Sequence, residues 1–250
     1  MRKYLAAAAS VAAVTVAVAL FVPGALAGTQ TVCPPGGLSN TTVNGGLLVT
    51  NDNYCVLYND TIKGGITILA GSDIELDAST VNNGITVMPG GEVEANPGSV
   101  FGGTPTTSTV NGGITLNNPV DWDIETTKIV GNFTINGANS FFPTFCGNHI
   151  IGNAQIRNVA VDFTAFGDPV DEGFDCGGNT ISGSLSLTNS SFFEMEGNTI
   201  GGSAFLNGSD LQFNANTIGG SLLCSNGTTI ESGSDQGDPT GNTASGANTC

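Results

Sequence analysis

Six carboxylates fall into three pairs, each split by one apolar residue: Asp73 and Glu75 around Ile74, Glu92 and Glu94 around Val93, Asp121 and Asp123 around Trp122. In an extended strand residues i and i+2 point the same way, so each pair projects two carboxylates from one face. Asp77 and Glu125 prolong the first and third runs. Oxygen-rich groups of this kind suit a hard divalent cation, and Ca²⁺ is the cofactor to expect outside a cell. If the three runs stack, like charges ~4.8 Å apart repel by about 1 kcal/mol even in bulk water, so the arrangement needs a reason. The plainer reading is a solvated acidic face that salt screens and that resists aggregation.

Carboxylate pairs also cleave glycosidic bonds, and a polysaccharide lyase adds a basic side chain that removes a proton. Beyond the first three residues the only basic side chains are Lys63, Lys128 and Arg157, and no Asp-Asp pair, Gly-His-Gly or Arg-x-Lys element occurs. One histidine, His149, leaves a nucleophilic triad without support. A second candidate surface is the segment 158–178, where Phe163, Phe166, Asp171 and Glu172 mix aromatic and acidic groups suited to a sugar or a protein partner. The same segment, flanked by Cys146 and Cys176, could instead close a local core.

What must position these groups is a repeat. A small polar residue, then usually Thr, then Ile or Val, then a residue followed by Gly or Asn, starts at Thr41, Asp60, Ser79, Ser108, Thr127, Asn148, Asn179, Asn198 and Asn216. The spacings of 19, 19, 29, 19, 21, 31, 19 and 18 residues define a unit of about 19, twice lengthened by an insertion. Such a unit is one turn of a solenoid, too short for a propeller blade and without helical periodicity. Each unit carries three segments with strand alternation: the Thr-Ile element, a second such as Ile66-Thr67-Ile68, and the acidic third. The expected fold is therefore all-β, a single-stranded parallel β-helix (β-solenoid) of about nine coils with three strands each. A β-sandwich would leave the recurrence of the same residues every 19 positions unexplained.

The acidic pairs sit 13 and 15 residues after their coil starts, so three consecutive coils stack them in two columns. Outward threonines form two more: Thr42, Thr61, Thr80 and Thr109, interrupted by Lys128 and His149 and resumed at Thr180, and Thr67, Thr86, Thr115 and Thr134 on the next face. Regular threonine arrays raise ice binding as a possible role, but threonine is also an ordinary exposed strand residue. This repeat style resembles the right-handed parallel β-helix proteins of the pectin-lyase-like type. The resemblance spans about residues 41–229, implies right-handed winding, and carries no catalytic residues across.

Compartment follows from the N-terminus and the cysteines. Arg2 and Lys3, the apolar run 5–22 and Ala25-Leu26-Ala27 read as a signal peptide over 1–27, followed by an N-terminal cap 28–40, the β-helix 41–230 and a Gly/Ser/Asp-rich tail 231–250. Cys33, Cys55, Cys146, Cys176, Cys224 and Cys250 form an even set, expected as disulfides between neighbours because stacked coils bring nearby segments together. With the leader removed, three basic residues face 21 acids, a surface that repels nucleic acid and anionic lipid and attracts cations. No other apolar stretch reaches the ~20 residues of a membrane span. Six N-x-S/T sequons occur in a chain so rich in Asn, Ser and Thr that chance accounts for them. The expectation is a secreted or cell-surface bacterial protein, non-enzymatic, with Ca²⁺-assisted attachment to a polysaccharide, an envelope component or itself. A carbohydrate-active β-helix and an ice-binding protein are the alternatives.

Overall fold

The computed structural model describes residues 30–50, 53–95, 106–138, 143–160, 165–167, 176–231 and 241–250. The segment 1–27, expected as a signal peptide, lies outside them. The chain winds as a parallel β-solenoid with three ten-stranded sheets, one on each side, and every pairing between successive strands is parallel. Among the described residues there is no helix, and hence none long and apolar enough to cross a membrane.

The first face carries the short Thr-Ile strands from Thr42–Val43 through Thr61–Ile62 to Thr243–Ala244. The second carries strands such as Ile66–Ile68 and Ile114–Asn117, the third the acidic strands Asp73–Asp77, Glu92–Ala95 and Asp121–Glu125. Period-two alternation sends one set of side chains inward on all three faces. Ile62, Val81, Val110, Ile129, Ile150, Ile181, Ile200 and Ile218 are thus buried in a column facing Ile68, Val87, Leu116 and Ile74, Val93, Trp122 from the other sides. Parallel strands buried along one face gain their stability chiefly from this apolar column rather than from local propensity.

Corners need backbone conformations that side chains resist. At Gly113, φ is +85° and a Cβ would lie 2.4 Å from the Asn132 carbonyl oxygen of the next turn, so only glycine fits. At the corner that leads into the Thr-Ile strands the left-handed position is held by Asn40 and Asn59 in the first turns, and by Ala78 (φ 50°) and Thr126 (φ 44°) later. Asparagine tolerates that region; a β-branched threonine there is strained.

Two boundaries move. Thr31–Val32 and Leu38–Ser39 pair with Leu47–Val49 and Tyr54–Tyr58, so the segment taken as a cap is already part of the first turn. At the other end Thr243–Ala244 pairs with Thr217–Ile218, and Asn242-Thr243-Ala244-Ser245-Gly246 acts as a tenth copy of the repeat signature within the supposed tail. The 26-residue gap from Asn216 and the alanine in place of isoleucine hid it. Three disulfides join Cys33 to Cys55, Cys146 to Cys176 and Cys224 to Cys250, the neighbour pairing expected of stacked turns.

Candidate functional site: the acidic face

Register on the third face is continuous across the first insertion. Asp73 pairs with Glu92 and Glu92 with Asp121; Glu75 pairs with Glu94 and Glu94 with Asp123. The ten residues added between Ala95 and Ser108 leave the columns intact. Tyr54 heads the first column, Val56 the second, and Tyr58 stands beside Asp77. Counting 13 residues from Thr41 reaches Tyr54, so the coil count already contained this aromatic member. Tyr54 and Tyr58 are 47% and 50% exposed, two rings on the same face as the carboxylates.

The six sequence-defined carboxylates divide into two groups. Asp73, Glu92 and Glu94, all half-buried, bring one carboxylate oxygen each within 4.8 Å of one another. The other three are engaged elsewhere: Glu75 accepts a short hydrogen bond from the Tyr54 hydroxyl, Asp123 one from Thr144 Oγ1, and Asp121 Oδ1 the N–H of Trp122 at 2.9 Å. Asp73 Oδ1 is screened from solvent and accepts no hydrogen bond.

Electrostatics agree with this crowding. Burial, then the charges of Glu92 and Glu75, push the Asp73 carboxyl up to about 6. Glu94 rises to about 7, through burial and then Asp73 and Asp123. Burial and Asp123 take Glu125 to about 7, and Glu92 and Asp123 are raised chiefly by burial. Lys63 and Lys128 belong to the Thr-Ile face and Arg157 to the second face, where it donates to Gln155. Lys63, Lys128 and Arg157 are therefore all off the acidic face, and none of them neutralises its carboxylates.

The second candidate surface separates differently. Phe163, Asp171 and Glu172 lie outside the described residues. Phe166 is only 1% exposed and stacks on Phe145 with ring centroids 4.5 Å apart, while Phe145 meets Phe133 at 4.3 Å. Its ring is core, not a ligand contact, because the alternation that follows Ala165 turns it inward above Phe145. Cys146, Ala165 and Cys176 pack as a small satellite cluster beside it. The threonine columns stand as expected on two faces, Thr67, Thr86, Thr115 and Thr134 in register on one, with Lys128 and His149 interrupting the other.

One column escaped the sequence reading altogether. The first residue of each repeat, seen only as small and polar, is buried at Asp60, Ser79, Ser108, Thr127, Asn148, Asn179, Asn198 and Asn216 and forms a hydrogen-bonded ladder inside the corner. Asn148 Nδ2 donates to Asn179 Oδ1, Asn179 to Asn198, Asn198 to Asn216 and Asn216 to Asn242, at 3.0–3.1 Å. Buried amides satisfied along a stack mark it as structural. Its signal was the switch from Asp/Ser/Thr to invariably Asn after residue 147.

The fold and this face define the class, a disulfide-bonded parallel β-solenoid with a carboxylate ladder. No known protein family, no curated protein and no solved structure matches the chain.

Proposed function

We propose that the protein is an exported, non-enzymatic interaction rod whose acidic face takes up Ca²⁺ and uses it to attach to an acidic polysaccharide of its surroundings. The observation that carries this reading is a contrast within one face. Among the described residues of the C-terminal turns no two carboxylates are adjacent in a column: Asp210 lies between Ser191 and Thr229, and Gln212 between Glu194 and Glu231. The fold thus does not require stacked carboxylates, yet three successive turns stack them twice over, without a basic neighbour. A divalent cation across Asp73, Glu92 and Glu94 offsets that repulsion, and its unfilled coordination positions accept carboxylate or hydroxyl oxygens from a glycan. Tyr54 and Tyr58 add apolar rings with polar tips beside it, a surface on which a sugar ring can rest. Three disulfides support the oxidising, extracellular setting in which Ca²⁺ is abundant. A carboxylate site this open belongs with extracellular modules of about 10⁻⁴–10⁻³ M affinity.

The test is co-sedimentation with insoluble acidic and neutral polysaccharides in millimolar Ca²⁺ or in chelator. Retention on an acidic glycan that requires Ca²⁺ and is lost in Glu92→Gln/Glu94→Gln is the expected result. Equal behaviour in Ca²⁺ and chelator rejects the reading.

A further inference from the structure

The corner ladder contains one member of the wrong chemistry. At its asparagine positions the side chain has two tasks: an oxygen accepts the backbone N–H of the ladder residue one turn earlier, and a donor reaches a carbonyl of the acidic strand. Asn148, Asn179, Asn198 and Asn216 accept from Thr127, Asn148, Asn179 and Asn198 N–H at 2.9, 2.9, 2.9 and 3.0 Å. Their Nδ2 groups donate to the carbonyls of Ile124, Phe145, Phe166 and Met195 at 2.7, 2.8, 2.8 and 2.8 Å. Ser79 performs the first task with its hydroxyl oxygen, accepting from Asp60 N–H at 3.0 Å, and its one proton has the Leu57 and Asp77 carbonyls within reach at 3.0 and 2.9 Å. Asp60 performs the first task, taking Thr41 N–H on Oδ1 at 2.6 Å. Its other oxygen, Oδ2, is buried without a partner in a residue only 2% exposed. The register Leu38 to Leu57 to Leu76 sets the Leu38 carbonyl where the ladder donor should point. A carboxylate cannot donate; a carboxylic acid can.

We infer that Asp60 is a proton-binding site inside the rod: it is a neutral acid whose Oδ2–H closes the ladder onto the Leu38 carbonyl and fastens the N-terminal turn. Burial raises the Asp60 pKa, opposed by the backbone N–H groups of Thr41 and Tyr58. The titratable residues on the strands around it are Tyr54, Tyr58, Asp73, Glu75 and Asp77, with Lys63 just beyond Thr61–Ile62; all occupy outward positions. Losing the proton leaves a charge in the corner and two acceptors facing each other, so the turn containing 38–43 loosens as pH rises while the asparagine turns do not. The sign follows from linkage: a group whose folded pKa is raised stabilises the fold at low pH and loses that contribution as pH climbs towards the folded value.

The experiment has two parts on the intact, oxidised chain. The first is the ¹³C carboxyl shift of Asp60 by NMR across about pH 4 to 8, in chelator. A protonated signal persisting above the ordinary aspartate range is expected; an ionised one at about pH 5 overturns the proposal. The second is amide exchange of residues 38–43 against residues 198–204, corrected for intrinsic rates. From the ordinary aspartate value of 3.8 up to the raised Asp60 pKa the protection ratio should fall by up to about tenfold per pH unit in the parent, and level off above it. In Asp60→Asn, which supplies the ladder's own donor, the ratio should stay flat and protection be at least as high. A parent ratio independent of pH, or an Asp60→Asn chain less protected at about pH 5, refutes the latch. The acidic-face carboxyls are the same in both chains, so their titration cancels in the comparison.

Discussion

From Asn148 onward the rod closes its corner with one residue type, and carboxylates on its third face are kept apart by Gln212, Thr229 and Asn214, whose Nδ2 donates to Glu196 at 3.0 Å. In the turns before it the same corner uses Asp60, Ser79, Ser108 and Thr127, and the same face stacks Asp73, Glu92 and Asp121 beside Glu75, Glu94 and Asp123. Both halves share the winding, the three sheets and the apolar column. The difference teaches where the fold's own requirements end. Among the described residues the asparagine turns satisfy their buried amides internally, whereas the N-terminal turns hold Asp60 Oδ2 and Asp73 Oδ1 buried without a partner, the groups for which a proton and a cation are proposed.

The comparison breaks most visibly at the ladder. Asn198→Ala removes an amide that accepts from Asn179 and donates to Phe166 and Asn216, leaving buried partners unpaired, and should cost about 2–4 kcal/mol in chemical denaturation. Ser79→Ala, one hydroxyl at the same place, should cost about 1–2 kcal/mol. Equal losses would mean that the asparagine ladder adds nothing over the mixed column.

Next in size is the pH profile in chelator. Folded pKa values of about 6 for Asp73 and about 7 for Glu94 and Glu125 exceed the ordinary 3.8 and 4.5, so the folded chain holds extra protons in that window. Stability is therefore highest in acid and falls as pH rises from about 4 to 7, with each half-buried group contributing about 1 kcal/mol after solvent screening. Glu94→Gln should flatten the slope by its share. A melting temperature that rises over this range contradicts the assignment.

Smallest is the reverse exchange. Gln212→Glu makes the C-terminal column continuous with Glu194 and Glu231 and should lower stability by up to about 1 kcal/mol at neutral pH. Screening by added salt should restore most of it.

The winding, the three strands per turn and the carboxylate columns were legible because they depend on period two within a strand and on a period of about 19 between strands, both written in single residues such as Ile62, Ile66 and Ile74. The disulfide pairs followed from stacking. What stayed hidden depended on direction rather than spacing. Asp60 and Asn148 share a repeat position, but only the corner geometry turns them inward, and the segment holding Phe166 reads equally as a binding surface or a local core until its ring is seen on Phe145. Likewise, which carboxylates converge was decided by the hydroxyls of Tyr54 and Thr144, which draw Glu75 and Asp123 aside. No spacing rule contains those hydroxyl contacts.

The central claim, that the carboxylate ladder is completed by a cation, is met most directly by thermal unfolding followed by circular dichroism in chelator, in Ca²⁺ and in Mg²⁺. At a concentration ten times the dissociation constant Ca²⁺ should add about 1.4 kcal/mol, or about 3–6 °C, to the folded state. That rise should exceed the one with Mg²⁺ and vanish in Glu92→Gln/Glu94→Gln. An equal rise with both ions, or none with either, would contradict the account and leave the ladder a screened acidic surface.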